Sequence, residues 1–409
     1  MDYQTDVNVG GPRMRPVQER SDHTALVVGG FLYVWGGYRS ISGEEVFFPS
    51  DEICIYDMRS SEWQTRPMEG DIPPSLSGTC GSYLNGNMYI FGGCNDSGHS
   101  NQMYCVNLLG EKCIWKNFTE GGESRPTPRD KHSCWVYKDR IIYFGGYGCK
   151  QIRDVHPNSF TIDEASWAVI GNALFRFWGW NNEVHVYDPS SNTWTEPHTA
   201  GSSPTPRAAH ASAALGSRGY VCGGTENMMM DLHCLDLESW TWTNIVSQSA
   251  VPQGRSWHTL TAFSPSSLFL FGGLNLFCEP LSDGWVFDLE TAEWRQFQHP
   301  HQDKPRLWHT ACLGLDSDIV IFGGSRDYRI LMDTIAVLRF PSLGHCSDVL
   351  IFQTQPYSLF RLCEDCIGKN AEILEKQLSI LPLKLLEPIQ KKITFFRTTM
   401  ETDKKITRT

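Results

Sequence analysis

Five Arg-x-x-His steps recur along the chain: Arg20/His23, Arg129/His132, Arg207/His210, Arg255/His258 and Arg306/His309. Imidazole is a common metal ligand, so five copies raise the question of a metal ring. A metal needs ligand atoms within bonding distance of one point, whereas these steps repeat one structural position and do not converge. Each His is therefore expected to be hydrogen bonded inside its own repeat. The other candidate is Cys363-x-x-Cys366. It lacks a second ligand pair nearby for zinc and a βαβ context for redox work, so both cysteines read as small apolar contacts. An oxidase would need a Tyr/Cys/His copper set and a hydrolase would need clustered acids; neither is visible from spacing. No catalytic residue, metal or cofactor is expected.

The elements that carry the Arg-x-x-His steps repeat as well. Six apolar runs end in a Gly pair, at Gly36/Gly37, Gly92/Gly93, Gly145/Gly146, Gly223/Gly224, Gly272/Gly273 and Gly323/Gly324. The second glycines are 56, 53, 78, 49 and 51 residues apart. A period near fifty, with four strands to each repeat, is the mark of a propeller. The first strand of a unit opens after the His ("HTALVV", "HASAAL", "HTACLG"), and the second is the run before the Gly pair. The third is "EICIYD", "EVHVYD", "LHCLDL" or "GWVFDL". The fourth carries Trp63, Trp115, Trp194, Trp242 or Trp294, a large apolar block between tilted sheets. The long gap holds an insertion at 149–178, and 325–347 also reads as inserted. The sixth unit, "DVLIFQTQ", has no Trp strand after it, so the segment near Pro16 and Val17 is expected to supply the closing strand. The residues between Arg and His vary from unit to unit, which is how a propeller mouth acquires a specific pocket.

The composition agrees with an ordinary globular chain: 41% hydrophobic and 20% charged residues. No apolar run is long enough to span a membrane, and the first twenty residues have no apolar core of a secretory signal. The net charge is −11, with the tail from residue 357 at +3 and the preceding part at −14. An acidic body argues against nucleic-acid binding. The 14 cysteines form no paired framework and read as reduced thiols of a cytoplasmic chain, with the nucleus as a second compartment.

The chain ends unlike a propeller. In "SLFRLCEDCI", Leu359, Cys363 and Ile367 fall at i, i+4 and i+8, and Ser358 after Pro356 suits a helix start. The following run, "EILEKQLSILPLKLLEPIQKKITFF", is helical in composition and broken by Pro382 and Pro388. A helical unit with an apolar stripe beside a closed propeller serves as a docking element.

These features together resemble the kelch propellers, over residues 20 to 356. The tail adds a second resemblance. Ser358-Leu359-x-x-x-Cys363-x-x-x-Ile367 looks like the elongin-binding box of ubiquitin-ligase substrate receptors, and Leu381-Pro382-x-x-Leu385-x-x-x-Ile389 looks like the short box that selects cullin-2. With "DKHSCWVYKDRIIYFGGYG", "GRSWHTL", "KPRLWHTAC" and "PLSDGW", the chain is similar to the kelch domain-containing protein 1 and 2 subgroup. The resemblance implies an all-β fold, a six-bladed kelch β-propeller over 20–356. It is flanked by an N-terminal segment 1–19, a helical tail 357–400 holding the two boxes, and a disordered end 401–409.

It also implies a non-catalytic receptor that binds the elongin B/C pair and a cullin-2-type scaffold, and substrates with C-terminal glycine degrons at the mouth. Tyr38 and Tyr147 match pocket aromatics, and Lys131 a cation that meets peptide backbone. Trp180 and Trp257 match pocket walls, and Ser256 a hydroxyl on the terminal carboxylate. The fourth unit departs: Thr225 follows the Gly pair where the family has Arg, and Met228 stands near the place of a second Arg. Without those cations a buried carboxylate is costly, so binding of glycine-ended peptides is expected to be weak. A kelch interaction scaffold without a ligase role is the other reading.

Overall fold

The computed structural model describes residues 17–41, 44–119, 125–164, 168–170, 174–225, 229–327, 344–378, 381–382, 385–386, 389–390 and 393. It is an all-β, propeller-like arrangement followed by short C-terminal helices.

Six inner strands, Thr24–Val28, Cys80–Leu84, Ser133–Tyr137, Ala211–Leu215, Thr259–Ser264 and Thr310–Leu313, each follow one Arg-x-x-His step or its equivalent. Each is antiparallel to the apolar run behind it, with registers such as Thr24↔Trp35 and Thr310↔Phe322. The inner strands neighbour one another in chain order, and Thr310–Leu313 returns to pack beside Thr24–Val28. Those apolar runs are buried on both faces: Leu32, Val34, Phe91, Phe144, Cys222, Leu270, Phe271, Ile321 and Phe322 are at most 1% exposed. This burial on both faces explains their unbroken rather than alternating hydrophobicity. The core lies between sheets. Trp115 and Trp242 are fully buried there, Trp194 and Trp294 nearly so, and the Trp63 ring lies 4.8 Å from Phe322 of the last sheet.

The Gly pairs explain the closure. All twelve glycines have positive φ, from 63° to 109°. The second N–H of each pair donates to the carbonyl at the Arg position of the next unit: Gly93 to Arg129, Gly146 to Arg207, Gly224 to Arg255 and Gly273 to Arg306, at 2.7–3.0 Å. Gly37 donates to Leu76, which stands where unit two has no Arg, and Gly324 donates back to Arg20. A Cβ on Gly324 would meet the Leu307 carbonyl oxygen at 2.6 Å. Only a residue without a side chain permits that approach.

Two features go beyond the repeat. The strand Arg140–Gln151 continues past its Gly pair with a bulge and pairs with Leu174–Asp188, so the described residues of the 149–178 insertion extend the third sheet. In the last sheet three strands are described, Thr310–Leu313, Ile319–Phe322 and Val349–Phe352. Val17 packs against the apolar cluster between first and last sheets, and the Arg20 N–H donates to the Cys346 carbonyl at 3.2 Å. Residues 17–20 form no ladder, and Pro16 lies outside the described residues. Most of 325–347 lies outside them too.

Candidate functional site

The residue just before each His position has left-handed backbone: Asp22, Gly78, Lys131, Ala209, Trp257 and Trp308 have φ between 52° and 63°. The N–H of each of the first five donates to the carbonyl of its predecessor around the ring, at 2.9–3.1 Å, with Asp22 donating to Trp308. These six residues line the mouth of the central channel, around a cavity of about 170 Å³. The residue before each of them (Ser21, Ser77, Asp130, Ala208, Ser256 and Leu307) forms a backbone bridge with the residue after a Gly pair (Tyr38, Cys94, Tyr147, Thr225, Leu274 and Ser325). The mouth is thus two concentric rings, whose side chains vary while the backbone repeats.

Of the expected pocket residues, Lys131 and Trp257 line the cavity. Tyr38, Tyr147 and Thr225 stand in the outer ring. Tyr38 is buried, with His345 and Phe47 at 5.5 and 6.2 Å. Tyr147 packs against Trp180 at 5.6 Å and Trp178 at 6.2 Å, on the extended third sheet, and its hydroxyl donates to Asp163. The Thr225 hydroxyl already donates to the Ala208 carbonyl. Ser256 is fully buried, its Oγ without a hydrogen-bond partner. Met228 lies outside the described residues.

The mouth holds further residues that the motifs left unmarked. Trp308 packs edge-on to Trp257 at 5.5 Å, making one wall aromatic. The opposite wall is charged: Lys131 Nζ donates to Asp130 Oδ2 at 2.8 Å, and Asp22 faces the same cavity. Burial opposes the Lys131 charge, but Asp130 and Asp22 outweigh it and push its pKa up. Burial, reinforced by Asp130 and Glu45, pushes the Asp22 carboxyl up to about 6 against the pull of Lys131. Lys131 is therefore not a free cation. Asp22 and Trp308 could have been found from sequence, since they occupy the same step of the repeat as Lys131 and Trp257.

The Arg and His of the repeat are structural, and here one expectation is corrected. Four of the five histidines bond across to the preceding unit and not within their own, while the ring nitrogens of buried His132 have no hydrogen-bond partner. His23 Nε2 meets Thr310 Oγ1 at 2.8 Å, His210 meets Ser133 Oγ at 2.8 Å, His309 meets Thr259 Oγ1 at 2.9 Å and His258 meets Cys222 Sγ at 3.4 Å. Neighbouring inner strands are close enough for such bonds to tie sheet to sheet. The arginines latch their own units: Arg207 Nη1 donates to the Gly223 carbonyl at 3.0 Å and to Asp231 at 2.8 Å, and Arg255 likewise to Gly272 and Asp283. Arg306 pairs with Asp348 and Arg129 with Glu183. None is free to replace a missing carboxylate clamp.

The tail begins at the opposite end. The turn after Thr310–Leu313 carries Asp316 and Asp318, and both accept from Arg361 Nη1 at 2.9 Å. Ser358 caps the helix Leu359–Lys369 by accepting from the Arg361 N–H at 3.3 Å. Leu359 is 77% exposed, and Phe360, Leu362, Cys363 and Cys366 are exposed too. Ile367, Leu381 and Leu385 instead pack on a small core of Ala371, Ile389 and Ile393, while Pro382 is exposed. All fourteen cysteines are unpaired. Among the described residues no helix is long and apolar enough to cross a membrane.

Comparison with known proteins agrees with this architecture. The KLHDC2/KLHL20/DRC7 Kelch-repeats domain matches residues 22–273, and a Kelch motif matches 259–299. Kelch domain-containing protein 1 of Homo sapiens is 50% identical over 385 residues, covering 93% of this chain and 91% of that protein. Kelch domain-containing protein 2 of Homo sapiens is 38% identical over 387 residues, covering 91% and 90%. Host cell factor of Drosophila melanogaster is 25% identical over 79% of this chain and 22% of its own length. The chain belongs to the kelch-repeat family of protein-interaction propellers, as a homologue of kelch domain-containing proteins 1 and 2.

Proposed function

We propose that this chain is the substrate-recognition subunit of a cullin-RING ubiquitin ligase: a six-bladed propeller that presents a peptide-binding mouth on one face and docks to the ligase core by its tail. The observation that carries the reading is the helix Leu359–Lys369, whose Leu359, Phe360, Leu362 and Cys363 are left exposed. A small propeller gains nothing by exposing such a stripe unless a partner covers it. The elongin B/C pair fits the first box, and a cullin-2-type scaffold fits Leu381-Pro382-x-x-Leu385. The chain works in the cytoplasm, with access to the nucleus. The substrate end is a C-terminal glycine degron, held between Lys131 and the Trp257 wall, with Tyr38, Tyr147, Trp180, Thr225 and Ser256 around it.

The test is co-purification of elongin B/C and cullin-2 with the full chain and with Leu359→Asp. Leu359 is exposed, so the substitution leaves the melting temperature unchanged while removing a buried contact, a loss on the order of 2–4 kcal/mol in binding. Undiminished co-purification overturns the reading and leaves a kelch scaffold without a ligase role.

A further inference from the structure

We propose that Cys94, His99 and Asp130 form a zinc site at the rim of the mouth. The three side chains come from two consecutive units: Cys94 follows the second Gly pair, His99 lies on the short hairpin after it, and Asp130 precedes Lys131. Their ligand atoms all lie within 4.8 Å of one another. Cys94 Sγ is 3.2 Å from Asp130 Oδ2, and His99 Nε2 is 3.2 Å from Asp130 Oδ1. In a tetrahedral zinc site with bonds of roughly 2.0–2.3 Å, ligand atoms stand about 3.3–3.8 Å apart. The two contacts fall on different oxygens of Asp130, so the carboxylate must turn and the Cys94 and His99 side chains close in to bring three ligand atoms onto one point.

A second observation points to a missing ligand. Asp130 is fully buried, its Oδ1 is met by the His99 Nε2 at 3.2 Å, and the buried Nδ1 of His99 makes no hydrogen bond. A fully buried carboxylate needs positive charge beside it, and a cation here would supply that charge while leaving the imidazole and the thiol as ligands. Thiolate, imidazole and carboxylate form a set suited to zinc, and three protein ligands leave the metal one place for water. Ser77 Oγ lies 3.6 Å from Cys94 Sγ and can hold the sulfur from behind. The His99 ring is also fixed by Trp178 at 4.9 Å and Tyr147 at 5.8 Å.

Lys131 is the competitor. Its ammonium stands 2.8 Å from Asp130 Oδ2 and supplies the charge that a metal would bring. Metal binding displaces the Cys94 thiol proton to solvent and releases Lys131 from Asp130. Asp22 is the carboxylate left for it: a Cβ on Gly78 would lie 3.2 Å from Asp22 Oδ2 and 3.1 Å from Asp130 Cβ, so both acids border the same patch. The site is independent of the ligase reading.

The test titrates Co²⁺ as the zinc probe into the full chain carrying Cys363→Ser and Cys366→Ser, which removes the exposed cysteine pair. One equivalent is expected to give tetrahedral ligand-field bands with a thiolate charge-transfer band, and zinc is expected to bleach both. In Cys94→Ser the charge-transfer band disappears. In His99→Ala affinity falls by about 100-fold or more. In Lys131→Met affinity rises. Melting curves check that each variant folds. A charge-transfer band that survives Cys94→Ser, weaker binding in Lys131→Met, or no stoichiometric band in the folded parent each overturns the proposal.

Discussion

The N–H of Gly324 donates to the carbonyl of Arg20 at 2.9 Å, so the last Gly pair binds the first Arg step by the same bond that joins every other unit to its successor. The seam between chain start and chain end is thus built like the internal joints. It is held further by His23 to Thr310 and by the Asp22 N–H to the Trp308 carbonyl.

Gly324→Ala should cost about 2–4 kcal/mol, because it combines a φ of 84° with a Cβ only 2.6 Å from a carbonyl oxygen. Gly29→Ala has φ 60° and open space, so it should cost only about 1 kcal/mol. Urea unfolding of both variants checks the difference; equal costs would mean the close approach is unimportant.

Ala209→Gly should stabilise the protein. Ala209 holds φ 53° in the mouth ring, a conformation that costs an L-residue roughly 1 kcal/mol and glycine very little. Part of the gain returns as unfolded-chain entropy, leaving a rise of up to about 0.5 kcal/mol. A lower unfolding midpoint contradicts this.

Stability should fall in mild acid. Burial, with the neighbouring arginines adding, holds His132, His210 and His309 down to about 3. The unfolded chain binds their protons below about 6.5, so the stability they contribute is complete above that pH and shrinks as pH falls towards 3. At pH 5 the loss is about 2 kcal/mol for each. Asp22, pushed up to about 6, works in the opposite direction and offsets less than one histidine's share. His210→Gln should flatten the dependence of the urea midpoint between pH 7 and pH 5; an unchanged slope refutes the assignment.

Restoring Arg at positions 225 and 228 should raise affinity for a diglycine-ended peptide by about 2–5 kcal/mol over the native chain. The native mouth sets Asp22 and Asp130 against its one cavity-lining lysine, and the Thr225 hydroxyl is already engaged. Calorimetry against the same peptide with an amidated end is the control. Tight, amidation-sensitive binding by the native chain would show that other groups form the clamp.

Arg361→Ala should loosen the tail without unfolding the sheets. It strands Asp318, which is 2% exposed and whose carboxyl burial already pushes up. Proteolysis between residues 353 and 358 should speed up while the main melting transition moves little, and Asp318→Asn should reduce the effect.

The architecture was legible because glycine, His and Trp recur at one spacing, and each has a reason to: positive φ with close approach, a bond to the preceding unit, and a large filler between sheets. The Arg-x-x-His step also identified the mouth, since its third residue is the one that faces the cavity. Partner choice was not legible. Spacing cannot tell whether His210 reaches forwards, backwards or into its own sheet, because all three partners lie far away in sequence. The Lys131–Asp130 pair was hidden for a different reason: two adjacent residues in a strand ordinarily point to opposite faces, but the left-handed backbone at Lys131 turns its side chain back onto its neighbour. Cys94, His99 and Asp130 carried no motif, because they meet only when two units close side by side.

The tail hangs from Asp316 and Asp318, at the far end of the strand that starts at the mouth beside His309. Four strand residues, roughly 13 Å of rigid backbone, separate the two. The strand is paired along its whole length with Ile319–Phe322, so the mouth and the start of the tail stand at a set spacing. The tail is therefore a tether of constant length: whatever is held at one end of this strand stands a set distance from whatever is held at the other.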